Sequence, residues 1–122
     1  MRWVRQNPTT EDSCGQCSAA MLLAIPKREA IRRVGHDLGT TTREMAKVLR
    51  DGGLRVGPRL KRLRSFDAIP TPRALLLGTW RRYPHWLVWG EGRVIDPVDG
   101  IFPLAKKPLP RWIRVTHYLA VE

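Results

Sequence analysis

The Gly52-Gly53 pair divides the chain into halves of different periodicity, and that division sets the fold class. Upstream of it, apolar residues recur at helical spacing. Residues 14–25 carry Ala19, Ala20, Met21, Leu22, Leu23 and Ile25, apolar almost all round, which predicts a helix held inside a core. Pro26 stops it. Ala30, Ile31 and Val34 then share one side of a short second helix over residues 27–34, ended by Gly35. Thr41-Thr42-Arg43-Glu44 has the Thr-x-x-Glu spacing of a capping box, and Met45, Val48 and Leu49 follow as a stripe that Gly52-Gly53 terminates. Downstream the pattern becomes short runs and alternation. Residues 54–64 alternate Leu or Val with Arg or Lys in part, as a half-exposed strand does, and Pro70 and Pro72 mark a loop. Ala74–Leu77, His85–Trp89 and Arg93–Asp96 are short apolar runs, the last two separated by a Gly90-Glu91-Gly92 hairpin turn. Pro97–Gly100 is a second turn, and Trp112–Val121 alternates as a closing strand. Helices first and an antiparallel sheet after them define an α+β fold, with N-terminal helices packed on a C-terminal sheet. With no internal repeat, linker or low-complexity tract, residues 1–122 read as one domain.

Composition narrows the setting. At 43% hydrophobic residues the chain can build a core. No apolar run approaches the roughly 18 residues of a membrane span, and Met1–Pro8 lacks the apolar stretch of a secretory signal. The expectation is a cytoplasmic protein, or one exported by a route that uses no signal peptide. Cys14 and Cys17 are too close in sequence for a useful structural disulfide, because so short a loop removes little entropy and strains the bridge. The net charge is +11, and residues 27–64 carry twelve Lys/Arg against four Asp/Glu. Arg59-Leu60-Lys61-Arg62-Leu63-Arg64 is the densest stretch. Such a face is either plain solvated surface or an attraction for an acidic partner, whether nucleic acid, an anionic membrane surface or an acidic protein.

One thiol stands out chemically. Ser13-Cys14-Gly15 leads directly into the apolar helical run, so Cys14 falls in the first helical turn. Unpaired N–H groups and the positive end of the helix dipole there favour a thiolate, the nucleophilic form of cysteine. A nucleophile needs a base, and the base needs an orienting partner. His85, after Pro84 at the head of a strand, is the best base. Asp96 ends the next strand. Pairing 85–89 with 93–96 about Gly90–Gly92 brings both to the open end of one hairpin, where the carboxylate can fix the imidazole tautomer. An oxyanion hole would come from the Cys14 N–H and a side-chain amide, with Gln6 the natural donor and Gln16 its rival. Cys17, one turn further in, reads as core. His36 and His117 read as structural, His117 being the fallback base.

The set Gln6 … Ser13-Cys14-Gly15-Gln16 … Ala20-Met21-Leu22, then His85-Trp86-Leu87-Val88-Trp89, then Asp96-Pro97, resembles the papain-like cysteine peptidases. The most similar branch is the bacteriocin-processing, double-glycine-leader peptidases. The resemblance covers nearly the whole chain in order. It implies a papain-like fold with the site between helix and sheet, and a bacterial or phage setting. It also implies Cys14 as nucleophile, His85 as general base, Asp96 as orienter and Gln6 as oxyanion donor. The interval from Gln6 to Cys14 is longer than in that family. Aligned instead on papain, Ser-Cys-Gly-x-Cys makes Cys17 the nucleophile. The expected activity is a thiol hydrolase, foremost a cysteine peptidase, with deamidation and transamidation open to the same residues. It calls for no metal or cofactor, and its partner is a protein or peptide substrate, acidic where it meets the basic face.

Other chemistries fit less well. A thioredoxin-type Cys-Gly-x-Cys needs an apolar strand immediately before it, and Asn7–Ser13 is polar. A zinc site needs two more ligands at metal spacing, and a deaminase needs His-x-Glu before Pro-Cys-x-x-Cys. The reading that competes with an enzyme is a basic binding module for nucleic acid or an acidic protein, built on a peptidase-like fold. Neither a helix-turn-helix nor an RNA-binding signature supports it.

Overall fold

The structure is a computed structural model that describes all residues, Met1–Glu122. Three helices precede one antiparallel sheet, so the chain is α+β. Helix α1 (Cys14–Leu23) is buried from Cys14 through Leu22. It ends where Ala24 turns left-handed (φ 54°) and donates its N–H to the Ala20 carbonyl, just ahead of Pro26. Helix α2 (Lys27–Val34) begins after Pro26, buries Ala30 alone and closes on Gly35 at φ 98°. Helix α3 (Thr42–Asp51) has the full capping box. Glu44 N–H donates to Thr41 Oγ1 at 3.1 Å and Thr41 N–H donates to Glu44 Oε1 at 3.0 Å. Its buried residues are Met45, Val48 and Leu49, the stripe that the sequence spacing predicts.

Six strands follow: β1 (Lys61–Arg62), β2 (Arg73–Trp80), β3 (Tyr83–Gly90), β4 (Arg93–Asp96), β5 (Gly100–Pro103) and β6 (Ile113–Val121). Their order is β1-β6-β2-β3-β4-β5. Side chains alternate across the sheet, so each strand feeds two cores. Leu75, Trp86, Val88, Ile95, Leu119 and Val121 face α1 and α3. Leu76, Leu87, Val94, Phe102 and Tyr118 form the opposite core, covered by Phe66, Ile69, Leu104 and Leu109. Both faces of the sheet are thus dry, which is why β3 reads as a continuous apolar run rather than as strict alternation.

Two expectations need correction. Residues 54–64 do not form one strand. Arg55 exchanges backbone hydrogen bonds with Glu122, the Gly57 N–H donates to the Ala120 carbonyl, Val56 bridges Val121, and the pairing then stops. Three residues, 58–60, then stand against Leu119 alone on β6, so the segment bulges away and rejoins β6 only at Lys61–Arg62. The run at Ala74–Leu77 is longer than its apolar core suggests. It extends to Trp80 and closes a tight hairpin with β3, through Arg81 and Arg82 at φ 47° and 73°. Sequence reasoning looks for Gly or Asn in such a turn. Here Arg81 is held by its N–H to the Trp112 carbonyl and by its guanidinium over the Trp80 and Trp112 rings, 5.3 and 5.1 Å from their centroids. Gly78 marks a bulge between β2 and β6, where a Cβ would lie 1.8 Å from the Arg114 carbonyl oxygen. No helix is long and apolar enough to cross a membrane.

Candidate active site

Cys14 is the first residue of α1, as its setting predicts. Ser13 makes no side-chain cap to the helix; its hydroxyl donates to Glu11 Oε2 at 3.0 Å instead. The first-turn N–H groups therefore lack a capping side chain, the condition for an anion-stabilising helix start. Gly15 follows because a Cβ there would lie 2.1 Å from Thr40 Oγ1. The absent side chain lets residue 40 close over the helix start. Cys14 is 6% exposed, and its sulfur accepts the Trp86 N–H at 3.5 Å. It lies where two cavities meet, of about 390 and 580 Å³, both also lined by Asp12, Tyr83, Pro84 and His85.

His85 and Asp96 come together through the β3–β4 register. Val88 pairs with Ile95, so Leu87 falls opposite Asp96 one step on, and His85 is the diagonal neighbour on the same side. His85 Nε2 lies 3.0 Å from Asp96 Oδ2, with the side chains 5% and 0% exposed. The other carboxylate oxygen, Oδ1, accepts the N–H groups of Val98 (2.7 Å) and Asp99 (3.1 Å). One buried residue thus initiates the Asp96–Asp99 turn and orients the histidine. With Nε2 bound to Asp96, Nδ1 is the ring nitrogen left for the thiol. Burial works to discharge the imidazole, but hydrogen bonds to Asp96 and Cys14, with their charges, outweigh it and raise the His85 pKa to about 9.

That shift has a consequence for stability. A histidine in the unfolded chain titrates near 6.5, so the folded protein binds this proton more tightly. The stabilisation is complete below about pH 6.5 and is lost as pH rises through about 9. Measured in a Cys14→Ser background, where no thiolate offsets the proton held by His85, unfolding free energies from urea titration should fall across that window. His85→Gln should flatten the fall; an equal slope in the variant would mean that His85 is not the group responsible.

The alternatives left open by the sequence have different surroundings. Cys17 is fully buried, and burial pushes its thiol up to about 11. It lines neither cavity. Gln16 is also fully buried, and its Nε2 donates to the carbonyls of His36 and Leu38 at 2.8 and 2.9 Å, so it anchors the loop after α2. Gln6 lines the cavity with Cys14 and His85. Its backbone N–H donates to the Pro97 carbonyl at 2.8 Å, which joins the segment ahead of α1 to the Asp96-Pro97 turn. One Nε2 hydrogen goes to the Glu11 carbonyl at 3.0 Å, while the buried Oε1 has no partner. Glu11 organises this loop: its carboxylate accepts from Lys27, Ser13 and the Asn7 N–H, and is held below the usual carboxylate range chiefly by Lys27. His36 pairs with Glu44 at 2.6 Å and His117 lies on β6 beside Thr116 at 3.0 Å; neither reaches the cleft.

Several residues at the site escaped the sequence reading. The Trp3 indole donates to the Asp96 carbonyl at 2.9 Å, bracing the turn from outside. Trp80 and Trp112 both donate to Asp99 Oδ2, at 2.8 and 2.9 Å, and the Trp80 ring centroid lies 6.3 Å from that of His85. Trp80 is thus a wall of the cleft. Tryptophans separated this widely in sequence gave no local signal; only the hairpin at Arg81-Arg82 gathers them. No protein-family model matches the chain, and no curated protein matches it significantly.

Proposed function

We propose that the protein is a papain-like thiol hydrolase that cleaves peptide bonds with a Cys14–His85–Asp96 triad. The observation that carries this reading is Cys14 at the uncapped start of α1, in one cleft with His85, whose far nitrogen is held by a buried carboxylate. The thiol proton passes to His85 Nδ1, and the Cys14 sulfur adds to the scissile carbonyl carbon. The C=O electron pair moves onto oxygen, and the first-turn N–H groups of α1 and the second Nε2 hydrogen of Gln6 stabilise that oxyanion. Collapse of the intermediate breaks the C–N bond as His85 returns its proton to the leaving amine. A water, deprotonated by His85, then hydrolyses the thioester and restores the thiol. Asp96 keeps the imidazole oriented and stabilises its charged form throughout. Because His85 must be protonated to release the amine, activity should fall above about pH 9.

Hydrolysis of a mixed fluorogenic peptide library is the test. Cleavage should be abolished in Cys14→Ala and lowered about a hundredfold in kcat by Gln6→Ala, the loss expected for one oxyanion donor. Residual cleavage at the wild-type rate in Cys14→Ala would overturn the assignment.

A further inference from the structure

A positively charged groove lies apart from the triad. Arg43, Lys47 and Arg50 project from one side of α3, at spacings that place them in line. Across from them runs the segment 57–60, carrying Arg59, and the space between is about 620 Å³. Arg50 donates to the Gly57 carbonyl at 3.1 Å and ties the two walls together. The only acid in the lining is Asp51, which is paired with Lys47 at 2.6 Å. Arg43 and Arg59 are exposed and form no ion pair. The floor is apolar, made by Ala46, Leu60 and Leu119. Lys61 and Arg62 continue the charge along the exposed edge strand β1.

This groove adjoins the cleft. Thr42 lines both the groove and the larger cavity at Cys14, and Thr40 and Thr41 carry the wall from one to the other. We propose that the groove is an extended subsite that takes an acidic segment of the polypeptide substrate, acidic residues alternating with apolar ones, to one side of the bond presented to Cys14. The proposal rests on the hydrolase reading and adds a substrate class to it. Cationic rims over an apolar floor match carboxylates spaced by leucine-like side chains. A single-stranded nucleic acid would want aromatic platforms for its bases, and the groove lining contains none. The net charge of +11 would steer an anionic substrate toward this face.

The probes are two chloroacetyl peptides with a short Gly-Ser spacer, one followed by alternating Glu and Leu, the other by Gln and Leu. Each is made with the reactive group at either end. The Cys14 sulfur displaces chloride, and intact mass reports the adduct. The Glu peptide should label Cys14 about tenfold faster than the Gln peptide at low salt, and the advantage should vanish in 0.5 M NaCl. In Arg43→Glu/Arg59→Glu the ratio should fall to about one. Equal rates in the wild type, or an advantage that survives the double substitution, would overturn the proposal. So would displacement of a fluorescein-labelled Glu/Leu peptide by an oligonucleotide that binds more tightly and needs the same two arginines. Polarisation with that fluorescent peptide on Cys14→Ala separates the two claims. Binding that needs Arg43 and Arg59, beside slow iodoacetamide labelling of wild-type Cys14, removes the hydrolase and with it the substrate role of the groove. Fast labelling without peptide binding removes the groove alone.

Discussion

Asp96→Asn is expected to lower peptide hydrolysis by about a thousandfold or more while leaving the fold intact, the size of effect that a triad carboxylate supplies. The asymmetry of its two oxygens makes the outcome specific. Oδ1 accepts the Val98 and Asp99 N–H groups, and Oδ2 serves His85 alone. An asparagine keeps the first oxygen and so preserves the turn. Its amide nitrogen then faces His85 Nε2 and donates to it. Nε2 must give up its own hydrogen to accept that bond, so the neutral ring carries its proton on Nδ1, the nitrogen that has to take the thiol proton. The histidine stays in place in the wrong tautomer, and the charged ring loses its counter-ion. Hydrolysis rates and thermal melts measured together decide the point. A large loss in kcat with a melting temperature within a few degrees of wild type supports the assignment. Unchanged hydrolysis would mean that Asp96 holds a turn and nothing more.

Much of the fold can be read from residues that act locally. Pro26, Gly35, the Thr41/Glu44 box and Gly52-Gly53 each terminate or start a helix through their own backbone chemistry, so the three helices lie where those residues put them. The Glu91-Gly92 turn is likewise local, with φ 56° and 74°. The expected strand over 54–64 fails for a reason visible only afterwards. Alternation marks a half-exposed surface, but the extra residues between Gly57 and Lys61 break the register with β6 and leave a short edge strand. The hairpin at Arg81-Arg82 was not legible, because its left-handed conformation is supported by Trp80 and Trp112 rather than by the turn residues themselves. At the site, the meeting of His85 with Asp96 followed from hairpin register. Cys17, which its place one turn further into the apolar helix marks as core, is fully buried, and Cys14 at the helix start lines the cleft.

The second large effect concerns that thiol. Iodoacetamide should modify Cys14 at pH 6 about a hundredfold faster than an ordinary cysteine, because the adjacent His85 takes up the thiol proton and leaves a nucleophilic sulfur. Cys17 should remain unmodified in the folded protein, being fully buried with its thiol pushed up to about 11. His85→Ala removes the cation beside the sulfur without touching the helix start. The fast phase should then disappear, and what reactivity remains should rise only as pH passes about 8.5. Helix-start stabilisation alone would leave part of the low-pH reactivity in that variant, so the size of the loss separates the two sources of activation.

Peptide mass mapping after brief alkylation across pH 5–10, in wild type and His85→Ala, is the most direct test of the central claim. Selective, fast modification of Cys14 at pH 6 that depends on His85 is the predicted result. Slow labelling of both cysteines, rising together near pH 8.5 and indifferent to the substitution, would contradict it.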